Sequence, residues 1–257
     1  MIFAVFFFFV IGLVFGSFFN ALVYRLAHHL PFIFERSVCP HCSSVLSWHD
    51  LIPLASFFIL KGRCRFCAQK ISWRYPFVEG ATALAFSAPW FFGHEHGLSF
   101  LILYYIAAFF LLLIFACDVW FMIIPDFVSI PAIISILIVQ LIIASFSVKI
   151  FGGFIFAGGI AAGFFLVQYV VSRGRWIGGG DIRLGFLIGC LVGWPSVIVA
   201  LFSSYVIGTV TMLPFLVTKT VSSKSKIPFG IFLTAGALIA FLWGEEIIAW
   251  YKNMFLL

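Results

Sequence analysis

Five stretches of this chain, residues 1–24, 96–117, 127–148, 150–172 and 184–218, contain no Asp, Glu, Lys or Arg. About 20 apolar residues span a hydrocarbon core of about 30 Å. Lipid offers no partner to backbone N–H and C=O groups, so such runs must be helices that satisfy their own backbone. Shorter apolar stretches at 80–94 and 227–244 add two candidates. The run 184–218 is 35 residues long, too long for one crossing, and Gly193, Trp194 and Pro195 mark a turn inside it. Two helices are read there, the first short and over 184–193 either crossing or re-entrant, which brings the expected count to eight spans. Charged residues make up 9% of the 257, against about 25% in soluble domains. A soluble enzyme, a disordered chain, a disulfide scaffold and a protein whose main partner is nucleic acid are excluded. Residues 1–24 lack the basic flank of a signal peptide and read as an uncleaved first span.

Basic residues orient the spans, because Lys and Arg accumulate in cytoplasmic loops. Residues 25–78 hold Arg25, Arg36, Lys61, Arg63, Arg65, Lys70 and Arg74; the segment after the fifth span holds Arg173, Arg175 and Arg183; a later loop holds Lys219, Lys224 and Lys226. Eight alternating spans put all of these on the cytoplasmic side and leave only Lys149 and Lys252 outside. The division expected is a first transmembrane helix (1–24), a cytoplasmic domain (25–78) and a membrane core (79–257). In the core, Gly159 and Gly163 have the GxxxG spacing that permits close helix packing.

Cys39, Cys42, Cys64 and Cys67 form two CxxC pairs, the arrangement of a four-cysteine zinc ribbon. A reducing cytoplasmic face argues against disulfides, and four thiolates leave zinc no open position, so the metal is expected to be structural. Cys117 and Cys190 stand alone in apolar runs and read as small buried hydrophobes.

Acids in membrane spans are costly and call for an explanation. Glu35 and Asp50 lie in the loop, and Glu95, Glu245 and Glu246 border the outer face. Asp118, Asp126, Asp181 and Glu79 remain, all at cytoplasmic span ends. Asp118 lies in CDVWFMIIPD and Asp181 follows three glycines in GGGDIRL. Glycines at 178 and 180 leave room beside Asp181 for a polypeptide or a second carboxylate. Two neighbouring carboxylates share a proton, one acting as base toward water and the other as acid toward a carbonyl. Three readings stay open on this basis: an aspartic peptidase dyad, an ion-coupled transport site, and helix capping or pairing with an arginine such as Arg183.

The motifs resemble those of the type IV prepilin peptidases, bifunctional leader peptidases and N-methyltransferases of bacterial plasma membranes. The likeness rests on GSFFNALVYRL (16–26), the CxxC segment from 39 to RYPFVE at 79, CDVWFMIIPD with Asp118 and Pro125, GGGDIRL with Gly178, Gly180, Asp181 and Arg183, and IPFGIFL (227–233). In the last, Ile231 replaces the second proline of the family's IPFGPFL. The departure is read as lying away from the aspartates.

The resemblance implies that Asp118 and Asp181 are the catalytic pair, that the four cysteines bind zinc, and that Asp126 starts a helix. It implies cleavage of the basic leader of prepilins or pseudopilins at the cytoplasmic membrane face, in type IV pilus or type II secretion systems, followed by N-methylation of the new terminus from S-adenosylmethionine. No Rossmann-type glycine loop is visible, so the methyl donor is looked for near Gly62, Arg63 and Glu79. Partners implied are a prepilin substrate and membrane lipid, contacted through the basic face, and no nucleic acid. The fold expected is an all-α polytopic membrane protein of about eight transmembrane helices with a small zinc-ribbon domain inserted after the first. The rival readings are a GxGD intramembrane protease without methylation, and a transporter or scaffold with structural zinc.

Overall fold

The computed structural model describes residues 2–27, 36–91, 97–218 and 228–255. Glu35, Glu95, Lys219, Lys224, Lys226 and Ile227 lie outside the described residues. Those described form nine α-helices in chain order: α1 (Ile2–Ala27), α2 (Ala55–Ile59), α3 (Arg74–Phe91), α4 (Leu98–Phe121), α5 (Asp126–Ile143), α6 (Val148–Ser172), α7 (Gly179–Val192), α8 (Ser196–Val217) and α9 (Gly230–Met254). The only strand-like pairings among them are isolated bridges, Val38 with Val45 and Arg63 with Lys70.

Six helices, α1, α4, α5, α6, α8 and α9, are long and apolar enough to cross a membrane. The other two segments counted as crossings also fold as helices without meeting that measure. Helix α3 begins with Arg74 and carries Glu79. Helix α7 has 14 residues, about 21 Å at 1.5 Å per residue. It stops at Gly193, whose φ of 71° suits glycine, and α8 restarts at Ser196, so the expected turn lies where Gly193, Trp194 and Pro195 placed it.

The chain divides into two units, Met1–Glu95 and His96–Leu257. In the first, α1 packs along α3. A Cβ added at Gly12 would lie 2.6 Å from Ala83 Cα, and one at Gly16 2.6 Å from Glu79 Cα. Glycine at both positions is what lets the two backbones touch. Asn20 Nδ2 donates to Tyr75 O at 3.1 Å across the same contact.

In the second unit α6 packs on α7, α8 on α9, and α4 against α5 and α9. An added Cβ at Gly189 would run into Ala157 O, and one at Gly158 would lie 2.6 Å from Cys190 Sγ. The close α6–α7 packing therefore runs through Gly158. Gly159 and Gly163, the expected GxxxG pair, meet no atom within 4 Å, because a residue one position on around a helix faces another direction. The short α7 ends inside the bundle, where carbonyls of its last turn have no helical partner. Gln140 of α5, itself buried, supplies one: its Nε2 donates to Leu191 O at 2.9 Å and to Cys190 O at 3.4 Å.

Candidate functional site

In the first unit the two CxxC pairs fold as copies of one knuckle. Cys39 N donates to Ser44 O and Ser43 N to Cys39 O; Cys64 N donates to Gln69 O and Ala68 N to Cys64 O. Ser43 and Ala68 both turn the chain with a left-handed φ, 55° and 57°. The knuckles bring the four sulfurs within 4.8 Å of one another, with Cys39 and Cys67 Sγ 3.9 Å apart. A tetrahedron with zinc–sulfur bonds of about 2.3 Å has edges of about 3.8 Å, so the donor set fits zinc and has no fifth position for substrate.

Hydrogen bonds from the Ser44 side chain and then its backbone hold the Cys42 thiol down to about 6. The Cys64 thiol is also lowered, by the backbone of Cys67 and Phe66. These two shifts favour the thiolates a metal needs, whereas Cys67, despite a lowering backbone hydrogen bond at Gln69, is pushed up to about 12 by burial and by the neighbouring Cys64, Cys42 and Cys39 thiols. Arg65, inside the second knuckle, grips Asp50 through Nε at 2.9 Å and Nη2 at 2.8 Å, tying that knuckle to the 3₁₀ turn Trp48–Leu51.

The residues expected around the methyl donor take other duties. Gly62 caps α2: its N–H donates to Phe57 O, its C=O accepts from Ile71 N, both at 2.8 Å, and its φ is 66°. Arg63 is exposed beside its bridge to Lys70. Glu79 is 7% exposed; its Oε2 accepts the Leu54 N–H at 2.8 Å and its carboxylate also bonds the Ser17 side chain. It therefore joins α1, α3 and the start of α2. The Gly62 backbone and the Glu79 carboxylate are thus engaged within the chain, while Arg63 stays exposed.

In the second unit both remaining aspartates are buried at one end of the helical bundle, Asp118 at 4% exposure and Asp181 at 8%. Asp118 sits in the last turn of α4. Its Oδ2 accepts the N–H of Ile231 at 3.0 Å, and the Gly230 backbone also bonds it; these are first-turn donors of α9, which have no intrahelical partner. Gly230 is required there, since a Cβ would lie 2.9 Å from Asp118 Oδ2. Asp181 occupies the first turn of α7, where its Oδ2 accepts the Gly178 N–H at 3.0 Å. That is the capping contact, and it uses one carboxylate oxygen. The two carboxylates thus come from different helices, one from the C-terminal end of α4 and the other from the N-terminal end of α7.

The expected departure at Ile231 is thus corrected. The segment lies against Asp118, and proline, which has no N–H, could not make the bond that isoleucine makes. Of the room expected beside Asp181, that at Gly178 is present, where an added Cβ would meet only Asp181 Oδ2 at 3.6 Å and Gly180 N at 4.0 Å, and that at Gly180 is corrected. A Cβ at Gly180 would lie 2.8 Å from Ile124 Cβ, so the space is filled by the α4–α5 turn. Pro125 is the N-cap of α5 and Asp126 its first residue, as expected. Arg183 pairs with Asp126, whose side chain is well exposed, and not with Asp181. The role of α9 could have been suspected from IPFG, a proline and glycine at a helix start, but the partner of its N–H groups has no sequence signal.

Residues 10–92 match the family described as "Bacterial Peptidase A24 N-terminal domain", and residues 105–213 match the "Type IV leader peptidase family". Relatives named prepilin leader peptidase/N-methyltransferase include one from Bacillus subtilis (strain 168), 34% identical over 96% of this chain and 97% of its own length. One from Legionella pneumophila is 31% identical over 92% and 90%, and one from Klebsiella pneumoniae 32% identical over 74% and 86%. No solved structure gives a significant match.

Proposed function

The chain belongs to the type IV prepilin leader peptidase/N-methyltransferase family, a family of membrane enzymes, and on that premise we propose that Asp118 and Asp181 cut the leader of a prepilin or pseudopilin. The observation that carries this reading is the pair itself: two buried carboxylates from different helices of the second unit, each fixed through Oδ2 by a backbone N–H.

Two such carboxylates hold one proton between them. The ionised one takes a proton from water as the water oxygen bonds to the scissile carbonyl carbon. The protonated one gives its proton to the carbonyl oxygen. The resulting gem-diol then breaks its C–N bond: the first carboxyl protonates the leaving nitrogen while the second recovers a proton from a diol hydroxyl, and the pair returns to its starting state. Backbone bonds to Oδ2 hold both groups without a titrating partner. Gly180 and Gly230 permit the close approaches of Ile124 and α9, Gly178 and Pro125 set the starts of α7 and α5, and Arg183 latches α7 to α5 through Asp126.

We place the site on the cytoplasmic face of the bacterial plasma membrane. The dyad end of the second unit carries Arg173, Arg175 and Arg183, while Lys149 and Lys252 lie at the other helix ends, the asymmetry expected of a cytoplasmic side. The exposed Phe3, Phe6 and Phe7 of α1 support lipid contact. Cys39, Cys42, Cys64 and Cys67 would hold a structural zinc ion. Methylation of the new terminus, for which S-adenosylmethionine supplies an electrophilic methyl group, is proposed from family membership, with no step assigned to Gly62, Arg63 or Glu79.

The test is incubation of the purified chain in lipid nanodiscs with a prepilin and isotope-labelled S-adenosylmethionine, read by mass spectrometry. Cleavage by the wild type, lost in Asp118→Asn and in Asp181→Asn while both still insert, is the expected result. Persistent cleavage by either variant would remove the dyad.

A further inference from the structure

A side-chain hydrogen bond joins helices α6 and α8. Tyr205 Oη donates to Gln168 Oε1 at 2.9 Å. The Gln168 amide nitrogen reaches only its own helix, Phe164 O at 3.5 Å, the outer limit for such a bond. The pair therefore keeps a donor on Gln168 Nε2 and acceptor capacity on the phenol oxygen, and neither side chain is fully buried. A carbonyl and an N–H of a main chain have the complementary requirements.

The place of the pair in the bundle gives this a direction. Helices α6 and α7 run antiparallel in close contact, with Phe165 and Ala161 against Gly185. Asp181 lies one turn before Gly185, and Gln168 one turn beyond Phe165 on the same face, so Gln168 is level with the start of α7 and Asp181. On the other side the Tyr205 ring packs on Phe229, centroids 5.1 Å apart. Phe229 immediately precedes Gly230 and Ile231, whose N–H groups hold Asp118. Elements that hold both carboxylates thus bracket the pair.

We propose that Gln168 and Tyr205 form a subsite for the main chain of an extended peptide beside the scissile bond, with Gln168 Nε2 donating to a substrate carbonyl. The proposal rests on the peptidase reading and deepens it. A peptide bond buried in its own helix has its carbonyl occupied, so holding the segment extended requires outside partners. The competing role is a pin between α6 and α8, which would contribute a little to stability and nothing to substrate affinity.

Steady-state cleavage of a prepilin peptide by full-length protein in nanodiscs separates the two, alongside thermal unfolding of the same samples. Gln168→Leu removes the donor, and the near-isosteric Tyr205→Phe removes the hydroxyl that orients it. Each should raise KM about fivefold to tenfold, the effect of one lost hydrogen bond, with kcat within about twofold. Gln168→Asn should recover part of the loss. In the cleavage-dead Asp118→Asn/Asp181→Asn background, peptide affinity should fall by the same factor on adding Gln168→Leu. Unchanged KM and affinity with a lowered unfolding midpoint would overturn the subsite and leave the dyad standing. A wild type that cuts no prepilin would overturn both.

Discussion

Gly230→Ala separates the fold from the chemistry. The added Cβ would lie 2.9 Å from Asp118 Oδ2, 3.1 Å from Cγ and 3.4 Å from Cβ, where relaxed carbon contacts are about 3.5–4.0 Å. Because the whole short side chain is touched, the carboxylate must retreat by a few tenths of an ångström, and the 3.0 Å bond from Ile231 N stretches or breaks. A hydrogen bond to a charged group contributes about 1.5–3 kcal/mol, equivalent to roughly one to two orders of magnitude. The fold feels less. Overpacking costs about 1–3 kcal/mol, while alanine in place of glycine in a helix returns up to about 1 kcal/mol. The expected outcome is a folded, inserted protein with kcat lowered about 10- to 100-fold and KM nearly unchanged, measured on a prepilin peptide in nanodiscs with the unfolding midpoint recorded in parallel. Wild-type kcat in Gly230→Ala would refute the argument that α9 sets the position of the Asp118 carboxylate.

Gln140→Leu strips the partner from the Cys190 and Leu191 carbonyls in an apolar setting, at a cost of about 1–3 kcal/mol; a lower unfolding midpoint in lipid is expected, and an unchanged one would show that α7 ends without help from α5. Purified wild type should carry about one zinc per chain by elemental analysis, and Cys39→Ser or Cys64→Ser should lose it; wild type free of zinc refutes the site.

Charge-free runs, paired CxxC spacing and isolated aspartates are local patterns, and each reports local physics. The apolar runs had to become helices because lipid leaves a backbone no other partner, and the eight apolar segments marked by composition all emerge as helices. The two CxxC knuckles likewise close through bonds no more than five residues apart, which is why their spacing alone pointed to one metal.

What composition cannot carry is which side chain meets which backbone at long range. Asp118 and Ile231 are 113 positions apart, and nothing near either one announces the other. The same holds for Glu79, which met Leu54 and Ser17 where a cofactor contact was expected, and for Gly180, whose missing side chain makes room for Ile124. The elements of this protein follow from how its residues interact with lipid and with their neighbours in the chain. The setting of the candidate site was decided by helix packing, because only there do unpaired N–H groups at the start of one helix find the carboxylate at the end of another.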